Sequence, residues 1–102
     1  MSKSLIYEPQ FLIRFDKMMQ KELSQLKKKT NSRYPNWIFW LDNNENSIFT
    51  YVPKDNVVYI HNELFFRYQS IFDLSLSEFK KLMRKWLSVN LELPEDIKLD
   101  FG

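Results

Sequence analysis

Apolar residues recur at steps of three and four over residues 9–29. Leu12, Phe15, Met19, Leu23 and Leu26 fall on one side of a helix, and Phe11 and Met18 widen the stripe. Arg14, Lys17, Lys21, Ser24 and Lys28 fall on the opposite side. Pro9 suits the first helical position, where its missing N–H would have had no partner anyway. Thr30-Asn31-Ser32 ends the pattern, and Tyr34-Pro35 forces extended backbone into the next segment.

The period then changes to two. Residues 37–42, 47–52 and 57–61 read as three strands. They are separated by Asn43-Asn44-Glu45-Asn46, which tolerates left-handed backbone, and by Pro53-Lys54-Asp55-Asn56, where proline presets a turn dihedral. Connections this short make neighbouring antiparallel strands of a meander. Centring the turns on Asn44-Glu45 and Lys54-Asp55 pairs Trp40 with Phe49 and Phe49 with Ile60; it also pairs Ile38 with Tyr51 and Tyr51 with Val58. One face is then Ile38, Trp40, Phe49, Tyr51, Val58 and Ile60. The other carries Trp37, Phe39, Leu41, Ile48, Thr50, Val52, Val57, Tyr59 and His61, and is also mostly apolar. Slipping by one residue mixes the sets without making either polar, so both sides of the sheet call for cover.

Residues 62–72 read as a short helix capped by Asn62, with Leu64, Phe65, Tyr68, Ile71 and Phe72 inward. Residues 76–90 form a second helix behind the capping box Ser75-Leu76-Ser77-Glu78, in which serine and glutamate side chains satisfy unpaired backbone N–H groups. Its buried stripe is Phe79, Leu82, Met83, Trp86 and Leu87. Pro94 excludes further helix, and Ile97, Leu99 and Phe101 alternate with Lys98 and Asp100 as an edge strand. The expected fold is a single α+β domain over residues 1–102: an antiparallel three- or four-stranded sheet (meander), one long N-terminal helix and two C-terminal helices.

Composition narrows the chemistry. The 102 residues include no cysteine, one histidine and a single glycine at the very end. Disulfide scaffolds, zinc ribbons and thiol catalysis are excluded, and so is a glycine-rich phosphate loop. Aromatic residues make up 17% of the chain, far too many for a disordered tail. Alanine is absent, whereas Lys, Asn, Phe, Ile, Tyr and Met abound. That codon bias points to an AT-rich genome, either cellular or of the phage or mobile-element kind. No apolar run approaches the roughly 20 residues of a membrane span, so a soluble, cytoplasmic protein is expected.

Motifs for catalysis fail on inspection. Asp42-Asn43-Asn44-Glu45-Asn46 places oxygen atoms at alternate positions, as a calcium loop does. Ser47 stands where that loop needs glycine, and Pro53 where it needs a bidentate glutamate. His61-Asn62-Glu63 offers an imidazole near a carboxylate, but there is no second histidine for a metal pair. The helix–three strands–helix order resembles restriction-type nucleases and double-stranded RNA-binding domains. The first need paired acids beside a lysine on adjacent strands. Here Asp55 sits in a turn, and Asp96-Ile97-Lys98 lies at the far end of the chain. The second use a glycine- and histidine-bearing hairpin loop that this chain lacks. No enzyme activity and no cofactor or metal are expected.

Two surfaces remain. If the helices gather on one side of the sheet, Ile38, Trp40, Phe49 and Tyr51, or their opposites, stay open. An apolar aromatic face of that size serves a protein partner or self-association, as in a small inhibitor or regulatory module, or stacks unpaired bases. If instead the N-terminal helix covers one face and the C-terminal pair the other, neither face stays open. The alternative is nucleic acid held by Lys80, Lys81, Arg84 and Lys85, four cations within two turns of the last helix. A formal charge of only +2 weighs against a dedicated phosphate binder.

Overall fold

A computed structural model describes residues 8–101. The first helix, α1 (Pro9–Ser24), starts at Pro9 as expected but ends before residue 29, and Lys27–Asn31 forms a strand, β1. The helical apolar repeat stops at Leu26. The five residues Lys27-Lys28-Lys29-Thr30-Asn31 contain nothing apolar, so periodicity does not distinguish helix from strand there. Pairing decides it, because β1 satisfies the outer hydrogen-bonding edge of β2 (Tyr34–Leu41).

The chain continues through β3 (Ser47–Val52), a 3-10 turn (Pro53–Asp55) and β4 (Val57–Ile60). It then forms α2 (Asn62–Phe72), α3 (Leu76–Asn90) and β5 (Lys98–Asp100). The sheet has five strands in the order β1-β2-β3-β4-β5, rather than three or four. β1 to β4 are antiparallel neighbours, with Trp40 opposite Phe49, Phe49 opposite Ile60, Ile38 opposite Tyr51 and Tyr51 opposite Val58. The anticipated pairings are therefore the observed ones. β5 departs from a pure meander and runs parallel to β4. The α2–α3 crossover returns the chain to the start of β4, where Lys98 N–H donates to Asn56 O at 2.9 Å.

Caps mark both later helices. Ser75 and Glu78 make the reciprocal capping box of α3. α2 is capped by His61 rather than Asn62: His61 Nδ1 accepts the backbone N–H of Glu63 at 3.3 Å.

All three helices pack on one side of the sheet. Phe11, Phe15 and Met19 of α1, Leu64, Tyr68 and Phe72 of α2, and Phe79, Met83, Trp86 and Leu87 of α3 form one core. Trp40, Phe49, Val58, Ile60 and Leu99 of the sheet complete it. Its centre is aromatic. The Phe15 ring meets Tyr68 and Phe79 edge-on at 5.7 and 6.5 Å, a geometry that suits the ring quadrupoles. Leu12 and Ile71, expected inward, are exposed instead, because the buried runs of α1 and α2 advance in steps of four from Phe11 and Leu64. Ile48 also changes sides. The register slips by one residue between Trp40–Phe49 and Leu41–Ser47, and Ile48 is the extra residue of this bulge. It joins Phe49 in the helical core instead of facing away from it.

Two substitutions test this packing in urea melts. Phe49→Ala should cost about 3–5 kcal/mol through the cavity it leaves. The Tyr68 hydroxyl is buried without a partner among the described residues. Tyr68→Phe should therefore leave stability unchanged or raise it, since removing an unsatisfied polar atom costs nothing.

Candidate interface on the helix-free face

Successive side chains of a strand point to opposite faces. With Trp40, Phe49 and Val58 under the helices, Trp37, Phe39 and Leu41 of β2 point the other way, as do Thr50 and Val52 of β3 and Val57 and Tyr59 of β4. None of these belongs to the helical core or packs against it. Tyr34 joins them: its ring stacks on Trp37 at 4.5 Å and 20°, and lies edge-on to Phe39 at 6.5 Å. Trp37 and Phe39 are 6.1 Å apart. Tyr34 and Tyr59 are about two-fifths exposed, at 39% and 41%, Trp37, Phe39, Leu41 and Thr50 are half-buried, and Val52 and Val57 are buried. The three-ring cluster lies on the β2 side of this face and Tyr59 on the β4 side.

Lysines line the β1 side of this surface, and a lysine and an aspartate the β5 side. Lys27 stands opposite Leu41 and Lys29 opposite Phe39, so both share their face. Lys28, between them, turns to the helical side and holds its ammonium 5.9 Å from the Trp40 ring. Lys98 stands opposite Val57 at the other margin, with Asp100 opposite Tyr59. Lys29 makes an exposed ion pair with Glu45 at 3.9 Å, which is worth little in water.

The sheet edges offer less. β1 is exposed throughout but carries three lysines, and β5 is only three residues long. Lysine-rich and very short edges resist pairing with a foreign strand, so the open face is the usable surface of the sheet.

The residues singled out from sequence are distributed differently. Trp40 and Phe49 are only 4% and 0% exposed, and Ile38 and Tyr51 are half-buried against the same core. Those four form the covered side, and their opposites form the open one. On α3, Lys80 lies 5.8 Å over the Phe101 ring, and Arg84 Nε donates to Ile97 O at 3.0 Å. Lys81 and Lys85 are exposed beside α1. Lys81, Arg84 and Lys85 border one shallow depression together with Ser88 and Glu95, while Lys80 sits over the Phe101 ring. Lys27 and Lys29 escaped sequence reasoning because a helix was expected there, and Tyr34 because it lies before the irregular pairing at the β1–β2 tip.

The remaining polar motifs serve the fold. Asp42 Oδ1 accepts the backbone N–H groups of Asn46 and Asn44 at 2.8 and 2.9 Å, closing the β2–β3 turn, with Glu45 in the left-handed region at φ 63°. Asp96 comes beside Asn56, whose Nδ2 donates to its Oδ1 at 3.1 Å. No three acid or histidine side chains among the described residues gather to hold a metal ion. No helix among these residues is long and apolar enough to cross a membrane.

Comparison with protein-family models, with curated proteins and with solved structures finds no match to this chain. The surface is therefore read from its geometry alone.

The turn has a pH signature. The Asn46 backbone N–H, ahead of the lesser contributions of Asn44 and His61, holds the Asp42 carboxyl below its ordinary range. A depressed carboxylate stabilises the fold above the unfolded-state value of about 3.9, and that gain disappears as pH falls through the lower folded value. Asp42→Ala should lower the melting temperature at pH 7, and the gap to the parent protein should narrow below about pH 4.

Proposed function

We propose that the protein is a non-enzymatic binding module that docks a protein partner on the helix-free face of its sheet. The supporting observation is the cluster of Tyr34, Trp37 and Phe39 on a face that no helix among the described residues covers. Aromatic rings combine large apolar area with few rotatable bonds, which makes them effective interface anchors.

Two features narrow the partner. Lys27 and Lys29 margin the β1 side of the face, while Lys98 stands beside Asp100 on the β5 side, so the complementary surface is apolar at its centre and acidic toward β1. A second copy of this chain would bring further lysines against these, which disfavours face-to-face self-association. Base stacking fits less well, because Tyr34 and Trp37 already stack on each other and each gives up one ring face. The half-buried neighbours of the cluster, Leu41 and Thr50, are aliphatic or small, which suits broad contact more than insertion of single bases.

A photo-crosslinking amino acid at position 59, in cells of the native host, tests this reading. The expected product is one dominant adduct with a protein whose crosslinked peptide is flanked by Asp and Glu. Trp37→Ser together with Phe39→Ser should abolish it while the circular dichroism spectrum stays unchanged. Adducts only between copies of this chain, or binding of oligo(dT) that the same double substitution removes, would overturn the proposal.

A further inference from the structure

α1 and α3 run parallel, side by side. Trp86 Nε1 donates to Asp16 Oδ1 at 3.0 Å and, one turn on, Gln20 Nε2 donates to Asn90 Oδ1 at 2.7 Å. Above this seam the helices leave a groove of about 390 Å³. Phe15, Leu82 and Trp86 line it, together with the exposed Leu12 and Val89. It lies apart from the open sheet face.

The polar groups of the groove separate into two kinds. Asn90 is consumed by the fold, accepting from Gln20 and donating its Nδ2–H to Trp86 O at 2.9 Å, whereas Asp16 accepts the indole N–H and the Gln20 amide on Oδ1 and remains an exposed carboxylate on the α1 wall. Lys81 and Lys85 also line the groove, one turn apart on the α3 wall and exposed. The two ion pairs among the described residues involve neither of them. The groove thus combines an apolar trough with two adjacent ammonium groups on one side. Its complement is a molecule with an alkyl body and a single anionic end.

We propose that this groove binds a single-chain carboxylic amphiphile, with the alkyl chain along Leu12, Leu82, Trp86 and Val89 and the carboxylate between Lys81 and Lys85. From residue 81 to residue 90 the α3 wall is about 13 Å long, which sets the length of chain that fits. The volume lies at the small end of the range of ligand pockets. Asp16 lies on the α1 wall, so the carboxylate end keeps to the lysine side.

The test titrates the isotope-labelled full chain with octanoate, decanoate and the neutral octyl glucoside, below their micelle concentrations. It follows the Trp86 indole N–H resonance, which reports the groove directly. Decanoate should shift that resonance and the amides of residues 81–90. It should bind about ten-fold or more tightly than octanoate, because each buried methylene contributes roughly a factor of four. Lys81→Gln with Lys85→Gln should weaken decanoate about ten-fold, as loss of charge-assisted hydrogen bonds does, and leave octyl glucoside unaffected. Val89→Glu, at a position 69% exposed and safe for folding, should weaken decanoate as well. An unmoved Trp86 resonance at millimolar decanoate would overturn the proposal. So would equal binding of the neutral amphiphile, or a concentration-dependent dimer built through the same residues. None of these outcomes bears on the sheet face, whose reporters are Trp37 and Phe39.

Discussion

Packing of three helices onto a single side of the sheet is the constraint from which the other features follow. Phe49 and Val58 lie at the middle strands with no exposed surface, roofed by Phe15, Tyr68 and Phe79 and their neighbours. The strands alternate, so every residue that turns away from that roof turns toward water or toward something else. This chain puts Trp, Phe, Leu, Val and Tyr at those outward positions, where a monomer with no partner ordinarily has polar residues. The helices bury one apolar face and leave the second only partly covered, with Tyr34 and Tyr59 exposed, Trp37 and Phe39 half-buried and Val52 and Val57 buried.

The edges of the sheet complete this arrangement. β1 and β5 are the strands at which chains aggregate or add a partner's strand. The first is blunted by Lys27, Lys28 and Lys29, and the second by its shortness. The same lysines have a second effect. Lys28 turns inward over Trp40, while Lys27 and Lys29 turn outward and give the aromatic face a basic margin. One tripeptide thus guards an edge and places two lysines on the β1 side of the aromatic face, in a chain whose net charge is only +2.

Much of this was legible in the sequence, and the exceptions have physical causes. The β2–β3–β4 register followed from turn chemistry, because two short connections between alternating segments leave one pairing that keeps the apolar sets intact. The capping box placed α3 to the residue. β1 was hidden because Lys27 to Asn31 carry no apolar periodicity and take their conformation from a neighbour, which local pattern does not encode. The parallel placement of β5 depends on where the crossover lands, a tertiary fact. The open face was anticipated as a surplus of apolar strand surface. Which of its two sides stays open was not legible, since both sets are apolar and only the packing of the helices separates them. Tyr34 joins the cluster through an irregular pairing that alternation alone does not foresee.

Hydroxyl-radical footprinting of the isolated protein, read residue by residue by mass spectrometry, addresses the central claim most directly. If the helices roof only one side, Tyr34, Trp37, Phe39 and Tyr59 will be oxidised rapidly while Trp40 and Phe49 are protected. Equal protection of Trp37 and Trp40, or the reverse order, would show that the supposedly bare side is covered, and the account of this face as a docking surface would fail.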